Sequence, residues 1–349
     1  MSVHRVDPAA LAAEVAEFQR RLALGLATLA RLPPVELATT PREPVLADGK
    51  TTLYRYRSLA RPAALPPLLI VFALVNRPTV LDLQPDRSLI RRLLEAGLDV
   101  YLLDWGSPDR GDRSVGLADY LGCLDRAVQR IGAEHGAVDL LGVCQGGTLA
   151  IAYASLEPER LRRLVTMVTP VDFGTPDNLL AKWARGIDVD LLVDTFGNVP
   201  GELLNFTFLS LMPFRLTLQK YLALVDGADD PRQLENFLRM ERWIFDSPDQ
   251  AGRAFREFLR LFFQENRLVR GGATIGGRPV DLKRVTMPVF NIYATRDHLV
   301  PPSASRPLPG LIGSRDYEEL AFEGGHIGIY VSSRAHTVPA AIAAWLARR

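Results

Sequence analysis

The sequence predicts an α/β fold, in which a mostly parallel central sheet is flanked by helices and carries a helical cap (lid) insertion. Short apolar runs with strand character alternate with helical patterns, and this alternation is typical of a parallel sheet that is covered on both faces. The alternation breaks between residues 173 and 283, where the chain is rich in Leu and Phe and mostly helical. We therefore assign residues 45–172 and 284–349 to an α/β core and residues 173–283 to the cap.

The individual elements follow from apolar periodicity. Strands are predicted at residues 68–74, 100–103, 139–143, 164–168, 289–294 and 317–322. Helices of the core are predicted at residues 88–96, 117–131, 147–156 and 335–347. Helices of the insertion are predicted at residues 202–224, 232–245 and 250–263.

An amphipathic helix is predicted before the first of these strands, over residues 8–32, because apolar side chains recur there at spacings of three and four. Two prolines, Pro33 and Pro34, then end it. Residues 1–44 are assigned to this helix and a linker. The helix either packs on the core, which is the favoured interpretation, or docks a partner.

Composition excludes several classes of protein. The 349 residues are 48% hydrophobic and 23% charged, and the net charge of +1 gives no basis for binding nucleic acid or for a polybasic membrane anchor. Two cysteines, Cys123 and Cys144, cannot build a disulfide framework or a zinc site. We see no signal peptide and no apolar run of the roughly 20 residues that a membrane-spanning helix needs. A cytoplasmic location is therefore expected.

The strongest chemical signal is the sequence Gly-Val-Cys-Gln-Gly at residues 142–146, between a predicted strand and a predicted helix. A strand, a sharp turn and a helix with this spacing form the nucleophile elbow of the α/β-hydrolase fold, here with Cys144 in place of serine. Glycines are needed there because larger side chains would block the close approach of strand and helix. A thiolate suits acyl transfer from a thioester, since thiol–thioester exchange is nearly isoenergetic.

A cysteine nucleophile needs a base, and the base needs a carboxylate that orients it. In α/β-hydrolases the order along the chain is nucleophile, acid, histidine. Asp297 follows the strand before last, and His326 lies in a glycine-rich loop after the last strand, so Cys144, Asp297 and His326 are the predicted catalytic triad. We expect His298 to support the Asp297 loop and Cys123 to be a core residue.

An oxyanion hole is expected beside the elbow, built from backbone N–H groups. One should come from Gln145, the residue after the nucleophile, and the other from the loop after the first predicted strand. In that loop the N–H of Val75 is favoured, and the side chain of Asn76 is the alternative.

Several longer stretches make the chain resemble a known family. They are the Cys box at residues 142–147, VFALVNRPTVLDL at 71–83, YLLDWGSPDR at 101–110, TPVDF at 169–173, YATRDHLVPP at 293–302 and GGHIG at 324–328. Together they resemble the catalytic subunit of the short, two-component polyhydroxyalkanoate synthases of class III or class IV.

The resemblance implies polymerisation of (R)-3-hydroxyacyl-CoA, foremost 3-hydroxybutyryl-CoA, with release of CoA through an acyl-cysteine at Cys144. It implies that His326 deprotonates Cys144, and that Asp297 assists activation of the 3-hydroxyl group during elongation. It also implies that no cofactor and no metal are used, since CoA is part of the substrate and a product. The expected partners are a second synthase subunit, a second copy of the chain and the surface of a cytoplasmic polyester granule.

Two alternatives remain open at this stage. A Cys-dependent thioesterase or ester hydrolase of the same fold would share every catalytic residue, and only exclusion of water from the acyl-cysteine would distinguish a polymerase from it. A non-catalytic granule-associated scaffold is the alternative from another class. The apolar segment at residues 203–214 is either the cap's own core or a mobile cover, dimer contact or polymer-facing surface.

Overall fold

Eight strands form the central sheet of the computed structural model, which describes residues 7–60, 65–228 and 230–348. In chain order they are β1 (Arg42–Asp48), β2 (Thr51–Tyr56), β3 (Leu68–Val71), β4 (Val100–Asp104), β5 (Val138–Val143), β6 (Leu161–Met167), β7 (Val289–Ala294) and β8 (Tyr317–Phe322).

The order of the strands across the sheet is β1-β2-β4-β3-β5-β6-β7-β8. β2 pairs antiparallel with both β1 and β4, whereas all pairings from β4 to β8 are parallel. The predicted, mostly parallel sheet is confirmed. The sequence did not predict the β1–β2 hairpin at the edge of the sheet, because its strands lack the continuous apolar run by which the central strands are recognised.

Helices cover both faces of the sheet, as the side chains of β3 illustrate. Leu68 and Ile70 join a core cluster with the helices Leu89–Glu95 and Thr337–Ala347. Leu69 and Val71 join a second cluster with Leu117–His135 and Gln145–Leu156. Successive residues of a strand point to opposite faces, so a strand buried on both faces must be apolar at every position.

The remaining elements of the core are short. They comprise helices Pro302–Ser305, Leu308–Leu311 and Gly328–Val331, 3₁₀ turns Pro78–Leu81, Arg110–Ser114 and Pro158–Arg160, and the strand pair Asp82–Gln84 with Arg87–Ser88. The end of the insertion adds the strand pair Thr274–Ile275 with Arg278–Pro279 and the 3₁₀ turn Leu282–Arg284.

Between β6 and β7 the chain is mostly helical, in agreement with the composition of this segment. The α-helices are Leu179–Arg185, Val189–Phe196, Gly201–Ser210, Gln219–Asp226, Pro231–Phe245, Gly252–Phe258 and Arg267–Arg270, with π-helical turns at Phe214–Leu218 and Leu259–Gln264. The single helix predicted over residues 202–224 is wrong. It is broken after Ser210, where Pro213 cannot donate a helical hydrogen bond.

An aromatic cluster lies within this helical segment, and its members Phe173, Phe258 and Phe262 belong to the same buried cluster as the helices Leu117–His135 and Gln145–Leu156. The ring centroids of Phe173 and Phe263 are 4.7 Å apart, and those of Phe258 and Phe262 are also 4.7 Å apart. Both pairs meet edge to face, a favourable arrangement of aromatic quadrupoles. The start of the insertion, just after β6, is therefore fixed against its last helices.

The predicted N-terminal helix is present as Pro8–Leu29, and Asp7 caps it by accepting a hydrogen bond from the N–H of Ala9 at 2.9 Å. Residues 1–6 of the predicted segment lie outside the described residues. Packing is confined to the end of the helix, where a Cβ on Gly25 would lie 3.1 Å from the Cβ of Ala228. The apolar side chains of the earlier turns are exposed: Leu11, Val15, Phe18 and Leu22.

A buried ion pair connects β5 and β6. The Nε of Arg163 donates to Asp139 Oδ1 at 2.8 Å, and both side chains are almost completely buried. Burial raises the pKa of Asp139, and the Arg163 guanidinium opposes that rise. Arg163 also donates to the backbone carbonyl of Leu346, so the last helix is fixed to the sheet.

Across residues 7–60, 65–228 and 230–348, we find no helix that is both long and apolar enough to cross a lipid bilayer.

Candidate active site

The predicted site residues meet at one edge of the sheet. β3, β5, β7 and β8 run parallel, so their carboxyl ends lie at the same edge. Val75 follows β3, Cys144 follows β5, Asp297 follows β7 and His326 follows β8. The topology therefore brings together loops that are far apart in the sequence.

Cys144 forms the turn between β5 and the helix Gln145–Leu156. Its backbone has φ +54° and ψ −124°, outside the regions that residues with a side chain readily adopt. The turn is held by hydrogen bonds on both sides: the N–H of Cys144 donates to the carbonyl of Met167 at 2.9 Å, and its carbonyl accepts from Gly147 at 2.9 Å. This is the geometry of a nucleophile elbow, which exposes the side chain at the tip of the turn.

The glycines of the elbow permit close backbone contact, as the sequence predicts. A Cβ on Gly146 would lie 2.3 Å from the carbonyl oxygen of Phe72, and one on Gly142 would lie 2.6 Å from the Cα of Gly147. In both cases the contacted atom belongs to the backbone. Any side chain at either position would therefore push the elbow away from the sheet.

Asp297 is held rigidly in the loop after β7. Its Oδ1 accepts hydrogen bonds from the backbone N–H groups of Leu299 at 2.8 Å and Val300 at 2.9 Å. Its Oδ2 lies 2.7 Å from Nδ1 of His326. Both side chains are buried, so water does not weaken this pair.

The electrostatics of His326 reflect its two neighbours. Burial alone would lower the pKa of the imidazole, but the Asp297 carboxylate and the Cys144 sulfur outweigh burial and raise this pKa well above its usual 6.5. In the folded chain His326 is thus hydrogen-bonded to Asp297, and the charge of Cys144 also acts on its imidazole. A buried imidazole that is hydrogen-bonded to a carboxylate through Nδ1 presents Nε2 for proton transfer.

His298 lies beside Asp297 and is half-buried. Burial lowers its pKa, the Asp297 carboxylate opposes this, and the charges of His326 and Arg215 lower it further. Within the described part of the chain its ring makes no hydrogen bond. The N–H groups of Leu299 and Val300 hold the Asp297 loop instead, and support by His298 stays a prediction.

The side chain of Gln145, the residue after the elbow cysteine, contacts the loop that follows β3. Its amide oxygen accepts hydrogen bonds from the N–H of Leu74 at 3.0 Å and from the N–H of Val75 at 3.3 Å. Asn76 follows with φ +60°, a left-handed conformation that asparagine tolerates. Its side-chain oxygen accepts a hydrogen bond from the hydroxyl of Ser247.

The insertion contacts this same loop. The indole N–H of Trp243 donates to the carbonyl of Arg77 at 2.8 Å, and the guanidinium of Arg77 pairs with Asp246 at 2.7 Å. With the bond between Ser247 and Asn76, three contacts fix the loop from the insertion side.

Comparison with known proteins places this site in a family. The model of the α/β-hydrolase-fold family matches residues 66–333. The chain is 54% identical to the poly(3-hydroxyalkanoate) polymerase subunit PhaC of Allochromatium vinosum over 350 residues, 99% of each chain. It is 51% identical to the subunit of the same name from Thiocystis violacea, over 99% of this chain and 98% of the relative. The chain belongs to the poly(3-hydroxyalkanoate) polymerase family.

Solved structures agree on the fold of this polymerase family member. A thermostable carboxyl esterase from Bacillus coagulans superposes with a TM-score of 0.56 at 12% identity, covering 88% of this chain and 97% of the esterase. At that identity the likeness concerns the fold alone, and it confirms the predicted α/β-hydrolase architecture.

The sequence did not single out Tyr330 in this polymerase. Its ring meets that of His326 edge to face at 6.5 Å, and its hydroxyl is buried with no hydrogen-bond partner among the described residues. Burial, and then the charges of Cys144 and Asp297, raise its pKa. The sequence signal for Tyr330 was its position four residues after His326, because residues four apart lie on the same face of a helical turn.

Cys123 lies in the helix Leu117–His135, partly buried against the core, as predicted. Burial, with Asp48 nearby, raises the pKa of its thiol. Its sulfur accepts a hydrogen bond from Arg126 at 3.3 Å.

Proposed function

We propose that this chain polymerises (R)-3-hydroxyacyl-CoA, foremost 3-hydroxybutyryl-CoA, into polyhydroxyalkanoate with release of CoA. The observation that carries the proposal is the buried His326, which interacts with both Asp297 and the elbow residue Cys144. It occurs in a chain that is 54% identical to a poly(3-hydroxyalkanoate) polymerase subunit. We assign Cys144 as nucleophile, His326 as general base and Asp297 as the carboxylate of the triad.

Acyl loading starts with transfer of the Cys144 thiol proton to His326. The sulfur attacks the carbonyl carbon of the thioester, and the resulting oxyanion is stabilised by the backbone N–H groups of Gln145 and Val75. Collapse of the intermediate breaks the bond to the CoA sulfur, which leaves as a thiol after His326 returns the proton. The acyl group is then held on Cys144 as a thioester, with its transfer potential retained.

Elongation uses the same groups on a different nucleophile. The 3-hydroxyl of a hydroxyacyl unit loses its proton to His326 and attacks the acyl-cysteine, so an oxygen ester forms and the Cys144 thiol is restored. An alcohol is a weaker acid than a thiol, so this step needs the stronger base. Asp297, paired with His326 at 2.7 Å, supplies the charge that stabilises the protonated imidazole. All groups in this scheme come from the chain and the thioester, and no cofactor is invoked.

The proposed partners are a second synthase subunit, a second copy of the chain and a polyester granule in the cytoplasm. Exposed apolar side chains support such contacts. On the insertion Phe206 is 70% exposed and Phe214 is 76% exposed. The N-terminal helix Pro8–Leu29 adds an exposed apolar stripe. Large apolar side chains left exposed at neighbouring positions are typical of a protein–protein or lipid-like interface.

The test is CoA release from (R)-3-hydroxybutyryl-CoA, with turbidity recorded in parallel, by the chain alone and with a candidate second subunit. We expect CoA release with rising turbidity, increased by the second subunit. CoA release that yields only free 3-hydroxybutyrate would instead establish the thioesterase. No release under either condition would contradict the proposal and favour the scaffold.

A further inference from the structure

The side chain of Gln145 links the two halves of the proposed oxyanion hole. Its backbone N–H, directly after Cys144, is one proposed donor. Its side-chain oxygen accepts from the N–H of Val75, the other proposed donor, and from the N–H of Leu74. Gln145 therefore supplies its backbone N–H to the proposed oxyanion hole, and its side-chain oxygen accepts a hydrogen bond from the N–H of Val75 on the opposite side.

We propose that the Gln145 side chain is a positioning residue of acyl transfer, an inference that rests on the proposed function. Its amide oxygen holds the Leu74 N–H throughout the reaction. It accepts a hydrogen bond from the Val75 N–H only in the resting enzyme. When a tetrahedral intermediate forms, this N–H donates to the oxyanion instead.

The distances support this division of roles. The bond to Leu74 measures 3.0 Å, near the preferred length for an N–H···O hydrogen bond, whereas the bond to Val75 measures 3.3 Å and is the weaker one. Exchange of the weaker bond for a charged acceptor is favourable, because hydrogen bonds to ionised groups are shorter and stronger. The stronger bond to Leu74 keeps the loop in place during the exchange.

Burial explains why such an acceptor is needed. Gln145 and Leu74 are buried, and a buried N–H without an acceptor is costly. A loop in which the buried Leu74 N–H had no acceptor would turn away from the elbow. The Gln145 oxygen satisfies both donors before substrate arrives, so the hole exists in the resting enzyme.

The loop is also fixed at its far end. Ser247 bonds the side chain of Asn76, and Trp243 bonds the carbonyl of Arg77. Gln145 is the contact on the elbow side, between groups 71 residues apart in the sequence. Preorganised donors of this kind need not rearrange when the charge develops.

Two substitutions separate positioning from packing. Gln145→Met keeps the length of the side chain but removes the acceptor. We expect single-turnover acylation to fall at least about tenfold with little change in KM, since loss of one oxyanion donor costs 10²–10³ in rate. Gln145→Glu keeps an acceptor for both N–H groups but places a negative charge beside the oxyanion. We expect a larger loss of rate with a melting temperature close to that of the parent.

Thr148→Val is the matched control on the same helix. Its hydroxyl is buried and donates to the carbonyl of Pro170 at 3.0 Å, a partner outside the loop after β3. We expect a lower melting temperature and an acylation rate per folded molecule within about twofold of the parent. If Gln145→Met behaves like this control, the side chain only packs and the inference is wrong.

Amide hydrogen exchange tests the same contact without turnover. In the parent, the N–H groups of Leu74 and Val75 should exchange slowly, and Gln145→Met should accelerate both. Unchanged protection in this variant would overturn the inference even where activity is absent. A parent that shows this protection but releases no CoA would contradict the proposed function and leave the contact itself established.

Discussion

The Nδ1 atom of His326 lies 2.7 Å from Oδ2 of Asp297, although the two residues are 29 positions apart in the sequence. The other carboxylate oxygen of Asp297 is occupied by two backbone N–H groups, so the carboxylate cannot turn away. The imidazole is thereby fixed with its second nitrogen directed away from Asp297.

Asp297→Asn should slow elongation more than the first acylation. The amide keeps the approximate shape but removes the charge that stabilises a protonated His326, and the weakly acidic 3-hydroxyl depends on this charge more than the thiol does. General base catalysis contributes about 10²–10⁴-fold, so a loss within this range is expected for elongation. Rapid-quench measurement of the first CoA release against steady-state release checks this. Equal losses in both would argue against a separate role for Asp297.

The raised pKa of His326 predicts a pH-dependent contribution to stability. A pKa that is higher in the folded state gives stability that is fully present below the unfolded value and is lost as pH rises through the folded value. The stability advantage of the parent over Asp297→Asn should therefore be larger at pH 6 than at pH 9 in urea unfolding. In a His326→Gln background the same substitution should lose most of this pH dependence. A constant difference in both backgrounds would refute the assignment.

Cys144→Ala should abolish CoA release while leaving the fold intact. The sulfur is the only atom removed, and the turn is held by backbone hydrogen bonds of Cys144 that alanine retains. The measurement is CoA release, with circular dichroism as the control for folding. Retained CoA release would show that another group is the nucleophile.

Gly146→Ala should destabilise the chain severely. The new Cβ would lie 2.3 Å from the carbonyl oxygen of Phe72, and neither backbone segment can move without separating the elbow helix from β3. We expect a loss of roughly 3 kcal/mol or more, at the upper end of overpacking effects. Thermal unfolding measures it, and Gly132→Ala, where a Cβ would have no neighbour within 4 Å, is the control. Similar melting temperatures for the two variants would contradict the geometry.

Removal of one member of the Arg163–Asp139 pair should cost about 3–5 kcal/mol, because the remaining charge stays buried without its partner. Asp139→Leu and Arg163→Met are each expected to lower the free energy of unfolding by this amount. The double variant should lose less than the sum, because it leaves no unpaired charge. Chemical denaturation of the four proteins gives the coupling, and additive losses would show that the pair does not interact.

Much of the fold was predictable because its signals are local. The strand predicted at residues 289–294 agrees with Val289–Ala294, which is buried at every position, since a strand covered on both faces must be mostly apolar. The strand predicted at residues 317–322 agrees with the partly buried edge strand Tyr317–Phe322. The glycines at residues 142 and 146 indicated the elbow for the same kind of reason, namely the lack of room beside them. Cys144, Asp297 and His326 were predicted because they follow predicted strands in the order typical of α/β-hydrolases, and a parallel sheet brings such strand ends together.

Other features depended on tertiary packing, which local sequence patterns do not specify. The β1–β2 hairpin lies at a sheet edge, where no apolar run is required. The N-terminal helix has the amphipathic pattern of a packed helix, yet Leu11 and Val15 on its apolar face are exposed, because the pattern specifies a face and not what covers it.

The sequence by itself determined the central strands of the sheet and the tight turn at Cys144, because strand burial and a tight turn constrain residue type at each position. The candidate site residues follow the ends of these strands. Tertiary structure alone decided that the side-chain oxygen of Gln145 accepts hydrogen bonds from the N–H groups of Leu74 and Val75. The physical reason is that these contacts join segments whose separation is set by the order of strands in the sheet. No local pattern of residues encodes that distance.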